Sequence, residues 1–534
     1  MASPDRKVGD ANAMSSIADE RYGSISGSGK PNVTVESRYF GTDLDRYEMG
    51  VLGKQQVLRR NFGLLTMLGF ASTCIASWEG ILTYLNFVLI DGGTPLLFWG
   101  FFVTAICMTL VYASLAEMSS MSPTAGGQYH WVSEFAPRRY QKVLSYYSGW
   151  LTAVGWQVYL ASVCFLVGTT IQGLITLNNA NYGYERWHGT LLAIAVVVFT
   201  ISFNTVFASK LPKVEAVALV VHIIGFMAII ITLWATAPRR SAADALLNFT
   251  NDGGWSSNGL SAMVGLLAPT VVLVGYDCSV HMSEEIKDAS IVLPRAIMGS
   301  VILNVSMLFA VIITICFTLG DPEEVLASPT GYAFIQVFYN ATNSLAGASV
   351  MTFIIIFMLA ICAVSEIAAC SRQIWSFARD QGLPGHGWLS KVSPHWNIPL
   401  PGVIVSLSIS ALLSLINIGS SVALGAITSL GAVATLISYY LTIGCLVHRR
   451  VFGAPLPDRR WSLGRWGLAV NIGALIILTP LIFFLTWPLF TPVTAETMNW
   501  SSVMLVGVFI ISTTYYVVKG RKEFTGPVVN VTRD

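Results

Sequence analysis

The chain has 534 residues, of which 54% are hydrophobic and 11% charged, against the roughly 25% charged residues of a soluble domain. That deficit excludes an ordinary water-covered surface and makes lipid the solvent for most side chains. A net charge of +2 with no basic block gives no sign of a nucleic-acid partner.

Residues 1–60 are polar, with a Ser/Gly-rich stretch from Tyr22 to Lys30 and no apolar signal-peptide core. They are expected to form a cytosolic disordered tail ending in a short juxtamembrane stretch. Twelve apolar runs long enough to cross about 30 Å of hydrocarbon follow. They are Phe62–Leu89, Leu96–Met118, Val143–Leu177, Thr190–Phe207, Val214–Trp234, Leu260–Val280, Ile297–Leu319, Leu345–Ala369, Leu400–Ile418, Val422–Val447, Trp466–Trp487 and Val503–Val518. The runs are continuously apolar rather than alternating, which excludes a β-barrel and predicts an all-α polytopic membrane protein. Gly331–Asn343, before span 8, is too polar to cross and reads as an amphipathic surface helix. Gly382-Leu-Pro384 and Asn397-Ile-Pro399 mark turns between spans 8 and 9. Residues 519–534 form a second cytosolic tail.

With a cytosolic N-terminus, the inner loops carry Arg138, Arg139, Lys142, Lys210, Lys213, Lys287, Arg295, Arg372, Arg379, Lys391, Arg449, Arg450, Arg459, Arg460 and Arg465. The outer loops carry only Arg186, Arg239 and Arg240. This bias sets the orientation, supports the span count and places both termini in the cytosol. Sequons at Asn248 and Asn499 fall in outer loops as candidate glycosylation sites. Cys74, Cys107, Cys164, Cys278, Cys316, Cys362, Cys370 and Cys445 lie in or beside apolar runs without a CxxC pair, which predicts free buried thiols and no metal site.

Spans 1 and 6 differ from the rest. Span 1 holds Ile75-Ala-Ser-Trp-Glu-Gly-Ile81 and span 6 holds Gly275-Tyr-Asp-Cys-Ser279. Each places a carboxylate, Glu79 or Asp277, where hydrocarbon should be, at a cost of about 3 kcal/mol or more. Each adds a helix-weakening glycine, worth about 1 kcal/mol. Both costs become tolerable if the helices unwind there and face a cavity. The two spans are five helices apart, and interrupted helices at matching positions of two inverted halves point to a midplane binding site. The plainer alternatives are that Gly80 and Gly275 only let helices pack closely, and that Glu79 sits in a structural ion pair.

At these residues the sequence resembles the amino acid/polyamine/organocation permeases, and within them the fungal amino acid/choline branch that includes GABA and choline permeases. The likeness runs from about residue 50 to 520. It rests on Ser114-Leu-Ala-Glu-Met-Ser-Ser-Met-Ser-Pro-Thr-Ala-Gly-Gly-Gln-Tyr-His-Trp131, on Ser283-Glu-Glu-Ile-Lys-Asp-Ala289 with Leu293-Pro-Arg-Ala-Ile297, on Ser371-Arg-Gln-Ile-Trp-Ser-Phe-Ala-Arg-Asp-Gln-Gly-Leu-Pro384, and on Ser77-Trp-Glu-Gly80. The resemblance implies a LeuT-type fold. Residues 61–450 would form a ten-helix core of two inverted repeats, spans 1–5 and 6–10, and residues 451–518 two peripheral spans. It also implies secondary active transport by alternating access. By position, the solute site would be lined by Ser77, Trp78, Glu79 and Gly80 of span 1, Gly275, Tyr276 and Asp277 of span 6, and Trp156 and Gln157 of span 3.

In several sodium-independent relatives a span-5 lysine stands in for a sodium ion, and the matching residue here is His222. A group titrating near neutrality could take and release a proton during transport, and Glu79 is the second candidate; a packed structural histidine is the alternative. An ionised Glu79 favours cationic solutes such as choline or polyamines, whereas a protonated one suits a zwitterion such as GABA. Glu284 and Glu285 at the inner end of span 6, with Arg59 and Arg60 before span 1, could form an inner gate or could be solvated loop charges. Glu366 and Glu117 either face the core or reach cytosolic water.

The expected function is import of amine-bearing solutes, driven by protons, most simply at the plasma membrane. A nutrient-sensing receptor on the same fold, a vacuolar or efflux exchanger, and a channel are the rivals. Nothing suggests an enzyme or an ATP-driven pump: HExxH and GxxxxGK[ST] signatures are absent, and no cofactor is implied.

Overall fold

The computed structural model describes residues 35–36, 39–419 and 422–531; the first 34 residues of the expected tail lie outside them. Eleven described helices are long and apolar enough to cross a membrane: Leu64–Thr83, Gly93–Met121, Gln141–Asn178, Arg186–Asn204, Ala208–Thr236, Ala289–Thr318, Leu345–Arg379, Leu400–Gly419, Leu424–Phe452, Gly464–Phe484 and Ser501–Val529. They match eleven of the expected spans, numbered 1–5 and 7–12. The sixth is shorter because it is interrupted. Helix Asn258–Gly265 and helix Leu267–Val271 are followed by non-helical chain, and a single turn, Cys278–His281, resumes beyond it.

Spans 1, 3, 8 and 10 form the interior, with span 3 packed against both 8 and 10. Span 12 is the least enclosed. All eight cysteines are buried and unpaired.

Three segments depart from the sequence reading. Residues 43–60 are packed chain rather than free tail. Helix Asp43–Val51 starts with a capping box in which Thr42 and Asp45 exchange hydrogen bonds. The Asp45 carboxylate also accepts from the amides of Asp288 (2.9 Å) and Ala289 (3.1 Å), the otherwise unpaired donors at the start of span 7. The second departure is Gln128–Phe135, expected in a loop, which is a wholly buried helix against spans 3 and 10. The third is Ala333–Thr342, expected on the surface. It wedges between spans 5 and 8 because Phe334, Ile335, Val337 and Phe338 cover more of its circumference than one stripe.

The sequons at Asn248 and Asn499 also part company. Asn248 is exposed. Asn499 is buried, and its amide donates to Ser429 Oγ (3.0 Å), Leu485 O (3.2 Å) and Trp487 O (3.1 Å). Its nitrogen is committed, so this sequon is a structural amide and the glycosylation expectation there is corrected. Endoglycosidase treatment of the Asn248→Gln/Asn340→Gln double variant, which also removes the outer sequon Asn340-Ala-Thr342, is expected to leave its gel mobility unchanged. A mobility shift would show a glycan on Asn499.

Candidate functional site

Between Val272 and Asp277 the chain leaves the helical path. Gly275 has φ = 117°, a conformation L side chains rarely adopt, and a Cβ there would stand 2.9 Å from Ile75 Cδ1. Peptide groups freed by such a break need partners inside the bundle. Tyr112 of span 2 supplies two: its hydroxyl donates to Leu273 O (3.0 Å) and accepts from the Gly275 N–H (2.8 Å). The Cys278 N–H then donates to Gly275 O (2.8 Å) and the helix restarts.

Span 1 yields less than expected. A single residue, Ala76, is left-handed (φ = 45°), and helix resumes over Ser77–Thr83. Ser77 Oγ lies 3.1 Å from Tyr276 Oη, tying the two interruptions together. The kink turns Trp78 and Glu79 toward span 5. Glu79 Oε1 lies 2.7 Å from His222 Nδ1, and Trp78 Nε1 lies 3.1 Å from the same nitrogen. His222 Nε2 lies 3.2 Å from Asn304 Oδ1, and the Asn304 amide nitrogen donates to Ser72 O (3.2 Å). All these side chains are buried.

Asp277 is the hub of a second network. It accepts from Gln128 Nε2 (2.5 Å), Trp156 Nε1 (3.2 Å) and the Tyr439 hydroxyl, and His281 Nε2 lies 3.5 Å away. Its donors come from the buried helix Gln128–Phe135, span 3 and span 10, so this carboxylate fastens the broken span to three neighbours.

A cavity of ≈ 30 Å³, room for about one or two waters, lies between the kink and the break. Of the residues expected around the solute, Gly80, Trp156 and Gly275 line it. Ser77, Trp78, Glu79, Tyr276 and Asp277 turn into the networks just described, and Gln157, which is not in the lining, is buried without a hydrogen-bonding partner among the described residues. Tyr84, Tyr159 and Glu366 line the cavity as well.

The cavity is closed unequally. Toward the end rich in basic residues, Arg379 holds Glu284 through two hydrogen bonds (2.7 and 2.9 Å), Arg372 holds Glu285 (2.7 Å), and Lys54 lies 3.8 Å from Asp380. Burial works against the charged Glu284, but the Arg379 guanidinium outweighs it and holds the carboxyl at about 2. Arg60 does not pair with Glu285: it bonds Asp45 (3.2 Å) and the carbonyls of Ser283 and Ile286, while Arg59 lies over the Tyr39 ring. At the opposite end a vestibule of ≈ 430 Å³ is lined by Asn86, Phe87, Arg186, Tyr332, Asn417 and Trp487 among others. Hydroxyl contacts lie between it and the cavity. Tyr84 Oη meets Ser162 Oγ (3.3 Å) and Thr428 Oγ1 (3.2 Å), which lie 2.7 Å from each other.

Residues 62–510 match the family model described as amino acid permease. The chain belongs to the amino acid permease family. The permease is a multi-pass membrane transport protein and not an enzyme. It is similar to a Macrophomina phaseolina protein described as an amino acid/polyamine transporter, 32% identical over 440 residues that cover 82% of this chain and 97% of the relative. It is 30% identical to the choline transporter of Saccharomyces cerevisiae over 469 residues, covering 88% and 83% of the two chains. The amino-acid permease BAT1 of Arabidopsis thaliana is 27% identical over 512 residues, covering 92% and 97%.

Several residues of the permease's site carried no sequence signal that singled them out. Tyr112, Tyr439 and Gln128 are such cases. Glu215 of span 5 was missed despite a signal; it accepts from Thr73 of span 1 (2.6 Å) and Ser365 of span 8 (2.7 Å) and ties the three spans together. A charge inside an apolar run would have flagged Glu215 by the argument applied to Glu79. Glu117 resolves inward, where Arg450 and Arg459 hold it.

Replacing Tyr112 by Phe leaves the Gly275 N–H and Leu273 C=O without this partner, at about 1–3 kcal/mol each. Tyr112→Phe is therefore expected to lower thermal stability in detergent and to reduce uptake strongly at equal surface expression. The Glu285→Arg/Arg372→Glu double exchange is expected to recover uptake that either single change loses, as measured in whole cells.

Proposed function

We propose that this permease imports small amine-bearing solutes, such as amino acids, GABA, choline or polyamines, by proton-coupled alternating access. The observation that carries the reading is the unequal closure of the midplane cavity. Ion pairs lock one end, whereas at the other the Tyr84 hydroxyl contacts with Ser162 and Thr428 lie between the cavity and a wide vestibule. A solute larger than water enters when Tyr84 gives way and leaves when the Glu284–Arg379 and Glu285–Arg372 pairs part. The names of the yeast and plant relatives, a choline transporter and an amino-acid permease, favour this solute class. The family supports a LeuT-type core of ten helices with two peripheral spans, the interrupted sixth span bringing the total to twelve. The Lys/Arg bias supports a cytosolic placement of the ion-paired end and of both termini, and the plasma membrane is the site of import.

The proton assignment follows from hydrogen-bond chemistry. The Asn304 amide nitrogen donates to Ser72 O, so Asn304 Oδ1 accepts from a protonated Nε2 of His222. Nδ1 then faces Glu79 Oε1 at 2.7 Å. Two lone pairs do not rest at that distance, so one further proton lies between them, on the imidazole or on the carboxyl. Once it leaves, Nδ1 keeps the Trp78 indole N–H, which already donates to it at 3.1 Å, and the Glu79 carboxylate is repelled. Proton loss thus releases Glu79 from span 5 while Trp78 stays attached. The Glu284 carboxyl stays charged above pH ~2, so the stability its ion pair lends is full above about pH 5.5, declines as pH falls through the ordinary carboxyl value toward about 2, and contributes no pH dependence between about pH 6 and 8.

Radiolabelled choline, GABA, spermidine and amino acids should be offered to cells lacking their own permeases, with and without an uncoupler. At least one is expected to accumulate and to stop accumulating when the proton gradient collapses. Glu79→Gln and His222→Ala are each expected to abolish concentrative uptake. Full accumulation by both variants would overturn the coupling assignment, and binding without accumulation would favour a receptor.

A further inference from the structure

Most of the buried carboxylates already described have an evident occupation. Glu79 meets His222, Glu215 holds two hydroxyls, Asp277 holds three donors, and Glu117 and Glu284 hold arginines. Glu366, in the middle of the most enclosed span, differs. It is 4% exposed, and its Oε2, like the second oxygens of Glu79 and Asp91, has no hydrogen-bonding partner among the described residues, but unlike those two residues it lines the midplane cavity. It is the one carboxylate lining the midplane cavity, and no Lys, Arg or His lines that cavity with it.

Aromatic faces surround the same space. Trp156 and Tyr159, with ring centroids 6.5 Å apart and planes tilted by 48°, stand on span 3, and Tyr84 forms the wall toward the vestibule. Trp156 is fixed by its N–H bond to Asp277, and Tyr84 by its contacts with Ser162 and Thr428. The Tyr159 hydroxyl, like Glu366 Oε2, is buried without a partner among the described residues. Span 8 is held against the kink of span 1, since the Cys362 thiol, one turn before Glu366, donates to Cys74 O (2.9 Å). A buried, unpaired carboxylate oxygen is costly unless a cation or donor reaches it. Electron-rich ring faces beside a carboxylate form a receptor for an alkylammonium group.

The geometry points to Glu366 as the counter-ion that receives the solute's cationic group, within a box formed by Tyr84, Trp156 and Tyr159. This rests on the transport reading and narrows it. With one carboxyl that a bound cation would ionise and no cationic side chain, the lining of this cavity, once it widens as Tyr84 gives way, suits a small organic monocation such as a quaternary ammonium alcohol. A zwitterion would bring a second carboxylate against Glu366 with no cationic side chain to meet it. Glu79 and Asp277, the carboxylates singled out by the sequence pattern, then serve the proton and the scaffold respectively.

The test uses the purified full-length permease in detergent, with thermal shift as the binding readout, alongside whole-cell uptake. Choline and tetramethylammonium are expected to stabilise the wild type, and GABA and glycine betaine to do so at least tenfold more weakly in concentration. Glu366→Gln keeps the side chain's size and is expected to raise the choline concentration for half-maximal shift at least tenfold. The same change should leave unchanged the response to 3,3-dimethyl-1-butanol, the uncharged analogue of choline. Glu366→Asp, which keeps the charge, should recover part of the choline response and so controls for folding. Choline responses equal within twofold in wild type and Glu366→Gln would overturn the assignment. So would a wild type that prefers GABA or responds to neither cation. Choline stabilisation without choline uptake would leave the Glu366 site standing and defeat the transport reading.

Discussion

Peptide groups set loose inside hydrocarbon must find partners within the protein, and the interruption of span 6 imposes that demand on its neighbours. One phenolic oxygen, that of Tyr112, takes the carbonyl on one side of the gap and the amide on the other. A glycine at 275 lets the chain turn through a left-handed conformation against Ile75 and Trp156. Where the helix restarts, Asp277 is placed to gather donors from span 3, span 10 and the buried helix Gln128–Phe135. The cavity exists because the chain there cannot fill the volume an unbroken helix would have occupied.

Charge is sorted around that cavity by depth. Arginine–glutamate pairs gather at one end, where they can exchange with water when they part. In the interior, hydroxyls, an imidazole and amides replace arginine as partners for Glu79, Glu215 and Asp277. Such contacts can be remade without stranding an unpaired charge, which suits helices that must shift against one another. Glu79 Oε2 and Glu366 Oε2 are both left without such a partner among the described residues, and of the two only Glu366 lines the cavity.

Much of this was legible from the chain alone. Continuous apolar runs gave the spans, and Gly275 beside Asp277 located the interruption in span 6. Glu79 and His222, far apart in sequence, were each named for the proton and do meet. What the pattern could not convey was direction. Ser77, Trp78 and Glu79 were expected around the solute, yet a one-residue kink at Ala76 turns Trp78 and Glu79 toward span 5 and Ser77 toward Tyr276. A wholly unwound stretch would not have fixed that rotation. Arg60 and Glu285 are both at the expected end, but charge type alone does not choose partners, and Asp45 and Arg372 took them. Gln128–Phe135 was invisible because a helix wrapped by protein on every side needs no apolar stripe. Tyr112 and Tyr439 looked like any aromatic in a span.

The measurement that bears most directly on the account is an experimental density map of the permease in a lipid nanodisc at side-chain resolution. It should show span 6 leaving its helical path between Val272 and Asp277, with the Tyr112 hydroxyl between Leu273 O and the Gly275 amide. An unbroken helix running through Gly275, with Tyr112 turned to lipid, would contradict it.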